Sequence, residues 1–469
     1  MTQGIQYAGE FDVLELTLYS SSGVVVDLSK SAMEVNLFED VFKNSMSGSI
    51  LTYDTENLIM NMPVIGQEFV TLRLKTPTLQ DNPRESIDFT DHAFCAYKIG
   101  LRQDLSKGSQ IFEIHLTSPE MLRNSRLRVS KSYTGTASET VEKILRDSLY
   151  INTKKDLFIE KTAGIRKVVA PNIHPYDLIR NLTTEAISAV NGSPHFLFYE
   201  NARGIYFRSI QSIYALGTMG DYHDGNAGDF LNTETVGTKS VLEDSKRVIK
   251  FAVGNNNDML ANITGGMLGS KIITHDIYNK NYETKEYKYF ENFKTHDRID
   301  KNPIYNNTLI DDNDNTVGDF PDARIHLHPT STTTDSLDAQ HYETETSTYP
   351  YTSNRIKDSL LQRQARFMEL NKAISITLQV NGYTTMSAGQ MIQFYKQIKG
   401  NVHGGEKLDK FYSGKYLITK LRHHFSFAPE KKYEIMMTCA KEGLPEELPR
   451  YSKSKEPVGK TGSYHAVGY

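Results

Sequence analysis

Cysteine is nearly absent from this 469-residue chain, which has only Cys95 and Cys439. Two cysteines cannot build a disulfide scaffold or a four-cysteine zinc site. Tryptophan is missing altogether. No run approaches the ~18 consecutive apolar residues of a membrane-spanning helix. The N-terminal Met1-Thr-Gln-Gly-Ile-Gln-Tyr7 lacks the basic and apolar regions of a secretory signal. We therefore expect a chain made in a reducing cytoplasm that stays soluble. A charge excess is missing too: 53 Lys and Arg face 57 Asp and Glu, for a net charge of -4. A general nucleic-acid binder carries a clear basic excess, so that class is disfavoured. Apolar residues are scarce, at 38% with a mean hydropathy of -0.47. Exchanging the 27 Tyr of that count for the 31 Gly barely changes it, and it stays below the ~45–50% usual for globular domains. The 27 Tyr and 21 Phe argue against a wholly disordered chain. The scarcity then points to surface meant for protein neighbours.

What is present is mainly β, in a chain long enough for about three domains. Leu14, Leu16 and Leu18 alternate with polar residues, as do Met33, Val35 and Leu37. Val70, Leu72 and Leu74, and then Phe112, Ile114 and Leu116, repeat the pattern. A period of two marks strands with one buried face, so residues 1–120 read as a small β-barrel. Residues 121–235 read as a mixed α/β domain. Thr136-Ala-Ser-Glu139 is a capping box, followed by Val141, Ile144, Leu145 and Leu149 at helical spacing. Pro175 starts a second helix, with Leu178, Leu182 and Ala186 as its stripe. Asn201-Ala-Arg-Gly204 joins two strands of a hairpin.

Residues 236–256 hold one more strand, Val248–Val253. Residues 257–369 read as an insertion: polar loops over 257–350, then a helix over about 354–370 with Ile356, Leu360 and Phe367 on one face. Ile374, Ile376, Leu378 and Val380 form the clearest strand, ended by Asn381-Gly382. Strands over 415–427 and 432–439 follow, with Cys439 in phase with Tyr433, Ile435 and Met437. Residues 236–256 and 370–440 thus make a second, discontinuous β-module. Residues 441–469, with Pro445, Pro449 and Pro457 among Lys and Ser, read as a flexible tail.

The two β-modules look related. Gly66-Gln67, Phe94–Lys98 and Phe112–Thr117 have counterparts in Gly389-Gln390, Leu417–Lys420 and Tyr433–Thr438. In both, the middle strand begins 28 positions after the glycine, 66 to 94 and 389 to 417. Order and spacing together suggest one module used twice, and a repeat changes the reading of the whole fold.

Motifs for chemistry are poor. Gly459-Lys460-Thr461 ends like a phosphate loop, but Ser454 stands where its first glycine belongs. His326 and His328 share one strand face with no third metal ligand in view. His423 and His424 point to opposite faces. Asp311-Asp-Asn-Asp-Asn315 starts like a calcium loop, but Thr316 and Asp322 replace its required Gly and Glu. Cys95 has no His–Asn setting and reads as core. No catalytic, cofactor or metal residue is assigned.

Four stretches of the chain resemble known proteins. Glu39–Asp54 with Met62–Val70 is similar to the first tube domain of baseplate hub proteins of contractile-tailed bacteriophages. Asn172–Ile179 with the Phe196–Phe207 hairpin resembles that family's second domain. Gly265–Asp276 resembles a segment common in related hub proteins. Leu378–Gly389 with Lys415–Phe425 resembles the other tube domain. The resemblance implies an α+β, mainly β fold: two tail-tube-like β-barrel modules, a mixed α/β domain and a polar insertion. It also implies a homotrimeric ring joining a sixfold tail tube, or its initiator protein, to a threefold central spike. DNA would pass through as cargo. Tape measure and baseplate wedge proteins are further expected partners. The place would be the tail baseplate of a virion assembled in the host cytoplasm. The long 257–350 segment and the tail depart from smaller members of the family. The alternatives are a tail-associated cell-wall hydrolase, or a glycan-binding tail protein using the tyrosines of 257–350.

Overall fold

The computed structural model describes residues 7–55, 58, 65–77, 85–106, 108–224, 245–254, 257–276, 280–307, 316–330, 356–398 and 408–447. The calcium-loop-like Asp311–Asn315 and the phosphate-loop-like Gly459–Thr461 lie outside these residues.

The first eight strands are β1 Asp12–Tyr19, β2 Val25–Asp27, β3 Ala32–Asp40, β4 Ser47–Asp54, β5 Phe69–Lys75, β6 Ile87–Asp88, β7 Phe94–Ser106 and β8 Ser109–Thr117. The middle of the chain holds β9 Ser132–Gly135, β10 Leu157–Ile159, β11 Arg166–Val169, β12 Phe196–Asn201 and β13 Gly204–Ser209. Then come β14 Thr218–His223, β15 Val248–Val253, β16 Gly269–Asp276, β17 Asn281–Lys288 and β18 Ile325–Thr330. Last are β19 Ile374–Asn381, β20 Met391–Tyr395, β21 Gly414–Ser426 and β22 Lys432–Lys441. The mainly β, α+β class expected from the sequence is borne out.

One 14-stranded sheet carries the fold. Its first half runs β3-β4-β8-β7-β5-β1, and its second runs β15-β19-β22-β21-β20-β14. Numbered along the chain within each half, both read 2-3-6-5-4-1. Two of the irregularities match as well. The β3/β4 ladder slips at Ala32/Glu34, and the β15/β19 ladder slips at Val248/Lys250. The β7/β8 ladder slips at Ala96/Lys98, and the β21/β22 ladder at Ile418/Lys420. A bulge is a specific feature of a ladder, so the shared bulges align the modules around them; β7 slips twice more, at Ile99/Arg102 and Asp104/Ser106, where β21 does not. Gly66 and Gly389 precede equivalent strands at φ 88° and 87°, a conformation that favours glycine. The repeat thus extends to six strands. One pairing departs: β1 meets β5 antiparallel, whereas β14 meets β20 in parallel.

The buried faces follow the alternation. Ile374, Ile376, Leu378 and Val380 are fully buried, as are Tyr433, Ile435, Met437 and Cys439 on the paired strand. Leu14 is an exception at 44% exposure, because the β1/β5 ladder slips between Val13 and Glu15 and turns it outward. Asn381-Gly382 ends its strand but does not return the chain beside it, since β19 lies between β15 and β22.

Residues 119–214 form a mixed α/β unit with its own core, including Val141, Ile144, Leu182, Phe196 and Phe207. The helix Ala137–Arg146 begins with the expected capping box, Thr136 and Glu139 each bonding the other's backbone. It ends at Arg146, so Leu149 lies beyond it and is exposed. Pro175 opens the helix Pro175–Glu185, with Leu178 and Leu182 buried. The hairpin pairs Asn201 with Gly204. The mixed α/β segment, expected to reach residue 235, gives up β14 to the second module's sheet.

The expected insertion of polar loops contains a three-stranded sheet, β17-β16-β18. Its Ile272 and Tyr287, with Met267, Leu268 and Tyr289, join the core of the large sheet. The helix Ile356–Lys372 joins it too, but through Leu361, Ala365 and Leu370; Leu360 and Phe367 are only half-buried. The tail begins later than expected. Lys441 ends β22, Glu442 and Leu444 are buried, and Leu444 exchanges backbone hydrogen bonds with Asn302 at 2.8 and 3.3 Å.

Candidate assembly interface

The two modules meet inside the chain through β3 and β21. From Asp40↔Lys420 to Glu34↔Ser426 the strands pair antiparallel. Val41 N–H donates to the Thr419 carbonyl at 3.0 Å. Arg422 donates to Asn36 Oδ1 at 3.0 and 2.8 Å. Behind the joint, buried Glu39 accepts the backbone N–H groups of Ala202 at 2.7 Å and Ala388 at 2.5 Å. It faces His423 Nε2 at 3.5 Å, while His423 Nδ1 contacts the Tyr433 hydroxyl at 2.7 Å. One carboxylate thus ties the first module to the hairpin and to the second module.

The matching joint on the outer sides is not made. The shared bulges align β7 with β21 and β15 with β3. Beyond Ala96, β7 pairs only with β8 among the described residues, and β15 pairs only with β19. Both carry apolar side chains: Tyr97, Leu101 and Leu105 on β7 are half exposed, and Ile249 and Val253 on β15 nearly so. Open strand edges with apolar side chains are sticky unless something covers them. These two edges are complementary, because their counterparts already pair within the chain.

The sheet face away from the core is polar. Ser375, Thr377 and Gln379 of β19 are half-buried there. Several of its ionisable groups pair locally: Lys432 with Glu434 at 2.6 Å, His424 with Glu34 at 3.4 Å, Lys420 with Asp40 at 3.7 Å. Gln379 also donates to Glu434 at 2.7 Å.

A buried charge cluster fixes the mixed unit to the first module. Lys155 Nζ reaches Glu120 at 2.8 Å and Ser118 Oγ at 3.0 Å, and bonds Glu200 as well. Glu200 also accepts Met46 N–H at 3.1 Å from the first module. Burial alone would raise the Glu120 carboxyl, but Lys155, Ser118 and Thr153 outweigh it and hold it at about 2. Burial pushes Glu200 up, and Glu120 adds to that. The two carboxylates share one cation. The folded value of Glu120 lies below its ordinary 4.5, so its stabilisation is complete above pH 4.5 and lost as pH falls towards 2. We expect Glu120→Gln to lower stability at neutral pH and to flatten the pH dependence between 4.5 and 2. Urea midpoints measured across that range would check this; an unchanged slope would contradict it.

The residues weighed for chemistry do not converge. Cys95 and Cys439 are buried in the sheet, and burial raises both thiols. His326 and His328 lie on β18. His423 points into the core while His424 faces Glu34. Among the described residues, no three His, Cys, Asp or Glu gather as a metal group. Sequence reading passed over Ser193 and His195, whose Oγ and Nδ1 are 3.0 Å apart. Both are buried, and burial with the nearby Arg366 holds His195 well below its ordinary value. No helix among the described residues is long and apolar enough to cross a membrane.

The doubled module thus makes one β3–β21 joint within the chain and leaves the matching edges of β7 and β15 open among the described residues. In sequence, the chain is similar to a probable baseplate hub protein, gp334, of Vibrio phage KVP40. The two are 24% identical over 185 residues, which cover 38% of this chain and 41% of that protein. The match thus spans less than half of that relative. The resemblance to baseplate hub proteins expected from the sequence is borne out. In fold, the chain is similar to a tail protein from Neisseria meningitidis, with a TM-score of 0.48, 9% identity, and coverage of 92% of this chain and 98% of that one. It is also similar to the 43 kDa tail protein of prophage MuSo2 from Shewanella oneidensis, with a TM-score of 0.49, 7% identity, and 91% and 98% covered. No protein-family model matches.

Proposed function

We propose that the chain is a structural baseplate hub protein of a phage tail, whose three copies close a ring. The observation that carries this is the unequal use of one joint. Each chain makes the β3–β21 contact internally and leaves β7 and β15 open. If β15 of one copy adds to β7 of the next, the open joint repeats the made one. Closed cyclic assembly covers both of these open edges in every copy. With three copies, six modules stand in the ring, one face presenting sixfold symmetry to the tail tube and the other threefold symmetry to a central spike.

In this reading, residues 1–120 supply one tube-like module, and 218–256 with 370–441 supply the other. The polar, charge-paired sheet face lines the bore. A wall whose charges are neutralised in pairs offers a passing polyanion few free cations to hold it, which suits DNA as cargo. The ring sits in the virion, at the tail baseplate, and its role is structural rather than catalytic.

Light scattering on the purified protein should give about 160 kDa, three times the 53.2 kDa of the chain. Electron microscopy should show a threefold ring with a pore. A stable monomer at tens of micromolar would sink the reading.

A further inference from the structure

We infer that the short helix Met259–Thr264 of one copy seats Leu260 in a cleft of the next copy, lined by Tyr97, Met121 and Leu122. This rests on the ring proposed above and names a second contact at its open joint. The cleft encloses about 630 Å³ where the first module meets the mixed unit. Tyr97 stands on the open edge of β7, and Met121 and Leu122 belong to the helix Pro119–Arg126. All three expose apolar surface.

The module alignment brings Leu260 to this place. At the made joint, Asp40 pairs with Lys420, and Val41 follows beside Thr419. The bulge shared by Ala96/Lys98 and Ile418/Lys420 puts Tyr97 and Lys98 where Thr419 and Lys420 stand. On the other side, Phe38 pairs with Ser47, and Gly254 N–H bonds the equivalent Ser375 carbonyl at 2.9 Å. Asn257 N–H then bonds the Ala373 carbonyl at 3.0 Å, so the chain keeps to its own sheet that far. Asn257 therefore arrives beside Tyr97–Lys98 of the next copy, three residues before Leu260.

The helix is held firmly. Asp258 Oδ1 caps it by accepting Ala261 N–H at 3.0 Å, and buried Asn262 donates to the Tyr305 hydroxyl at 2.8 Å. Leu260, 77% exposed, is left pointing away from its own copy. A rigidly presented leucine beside the exposed side chains of Tyr97, Met121 and Leu122, in a cleft whose other walls are mostly polar, gains by leaving water. The occupant is a second copy because the cleft is continuous with the edge that a second copy covers.

Cross-linking the full-length protein with a short bismaleimide tests this, since both native thiols are buried. The pair Leu260→Cys/Met121→Cys should give covalent dimers and trimers on a denaturing gel. So should Val253→Cys/Arg102→Cys, which reports the strand joint alone, since Arg102 matches His423 and Val253 matches its partner Leu37. Bands from the second pair without the first would overturn the cleft contact and leave the ring standing. Bands from neither would overturn both. Leu260→Asp should weaken self-association at least tenfold with unchanged thermal unfolding of the dissociated chain; unchanged self-association would count against the contact.

Discussion

Val253→Pro should turn the proposed ring into monomers. Gly254 N–H points inward to Ser375, so by antiparallel alternation the Val253 N–H points out to the open side. Proline there removes a donor that the next copy needs, and no donor of the chain's own ladder is lost. The ring would lose one hydrogen bond and suffer a ring-to-strand clash at each of its open joints. Sedimentation or light scattering should fall from about 160 kDa to the 53.2 kDa of the single chain. The unfolding midpoint of the separated chain should stay within about 1 kcal/mol of wild type, as for other edge substitutions. A Val253→Pro protein that still forms the full-size particle would show that β15 is not an assembly edge.

Lys155→Met should destabilise the chain by about 3–5 kcal/mol, the usual cost of removing one partner from a buried ion pair. Lys155 is 4% exposed, and its partners Glu120 and Glu200 are buried too. Met fills the volume of the stem but leaves two carboxylates facing each other without a cation. One of them would then take up a proton near neutrality. The deficit should therefore shrink as pH falls, and calorimetry or urea titration at two pH values would reveal it. Adding Glu120→Gln and Glu200→Gln to the Met variant should recover much of the loss. A single-variant loss under about 1 kcal/mol would mean the cluster contributes little to docking the mixed unit on the first module.

Much of this fold could be read locally. Ile374–Val380 alternates so cleanly because one sheet face is core and the other is not. Thr136 and Glu139 announce a helix start because both partners of that capping box lie within four residues. The repeat was visible through Gly66 and Gly389, whose backbone conformation favours glycine. What escaped detection depends on distant partners. β14, Thr-Met-Gly-Asp-Tyr-His, buries only Tyr222, so it has no apolar period and is defined by pairing with β20. β17 buries only Tyr287 against the core and otherwise reads as polar loop. Lys155 sits in Thr-Lys-Lys-Asp, which looks like a solvated turn until Glu120 and Glu200 arrive from far along the chain. The open edges were also invisible, because an edge is defined by the strand that is not beside it.

The β3–β21 joint has a further consequence, in the counting of assembly. Because one chain supplies both halves of that joint, its partner concentration is fixed by covalent connection and does not fall on dilution. Only the β15–β7 joints obey mass action, so the proposed ring is half unimolecular before any copies meet. Modules can enter or leave it only in pairs. A ring with one module too few or too many, which identical single modules could form by accident, is excluded by the connectivity of the chain.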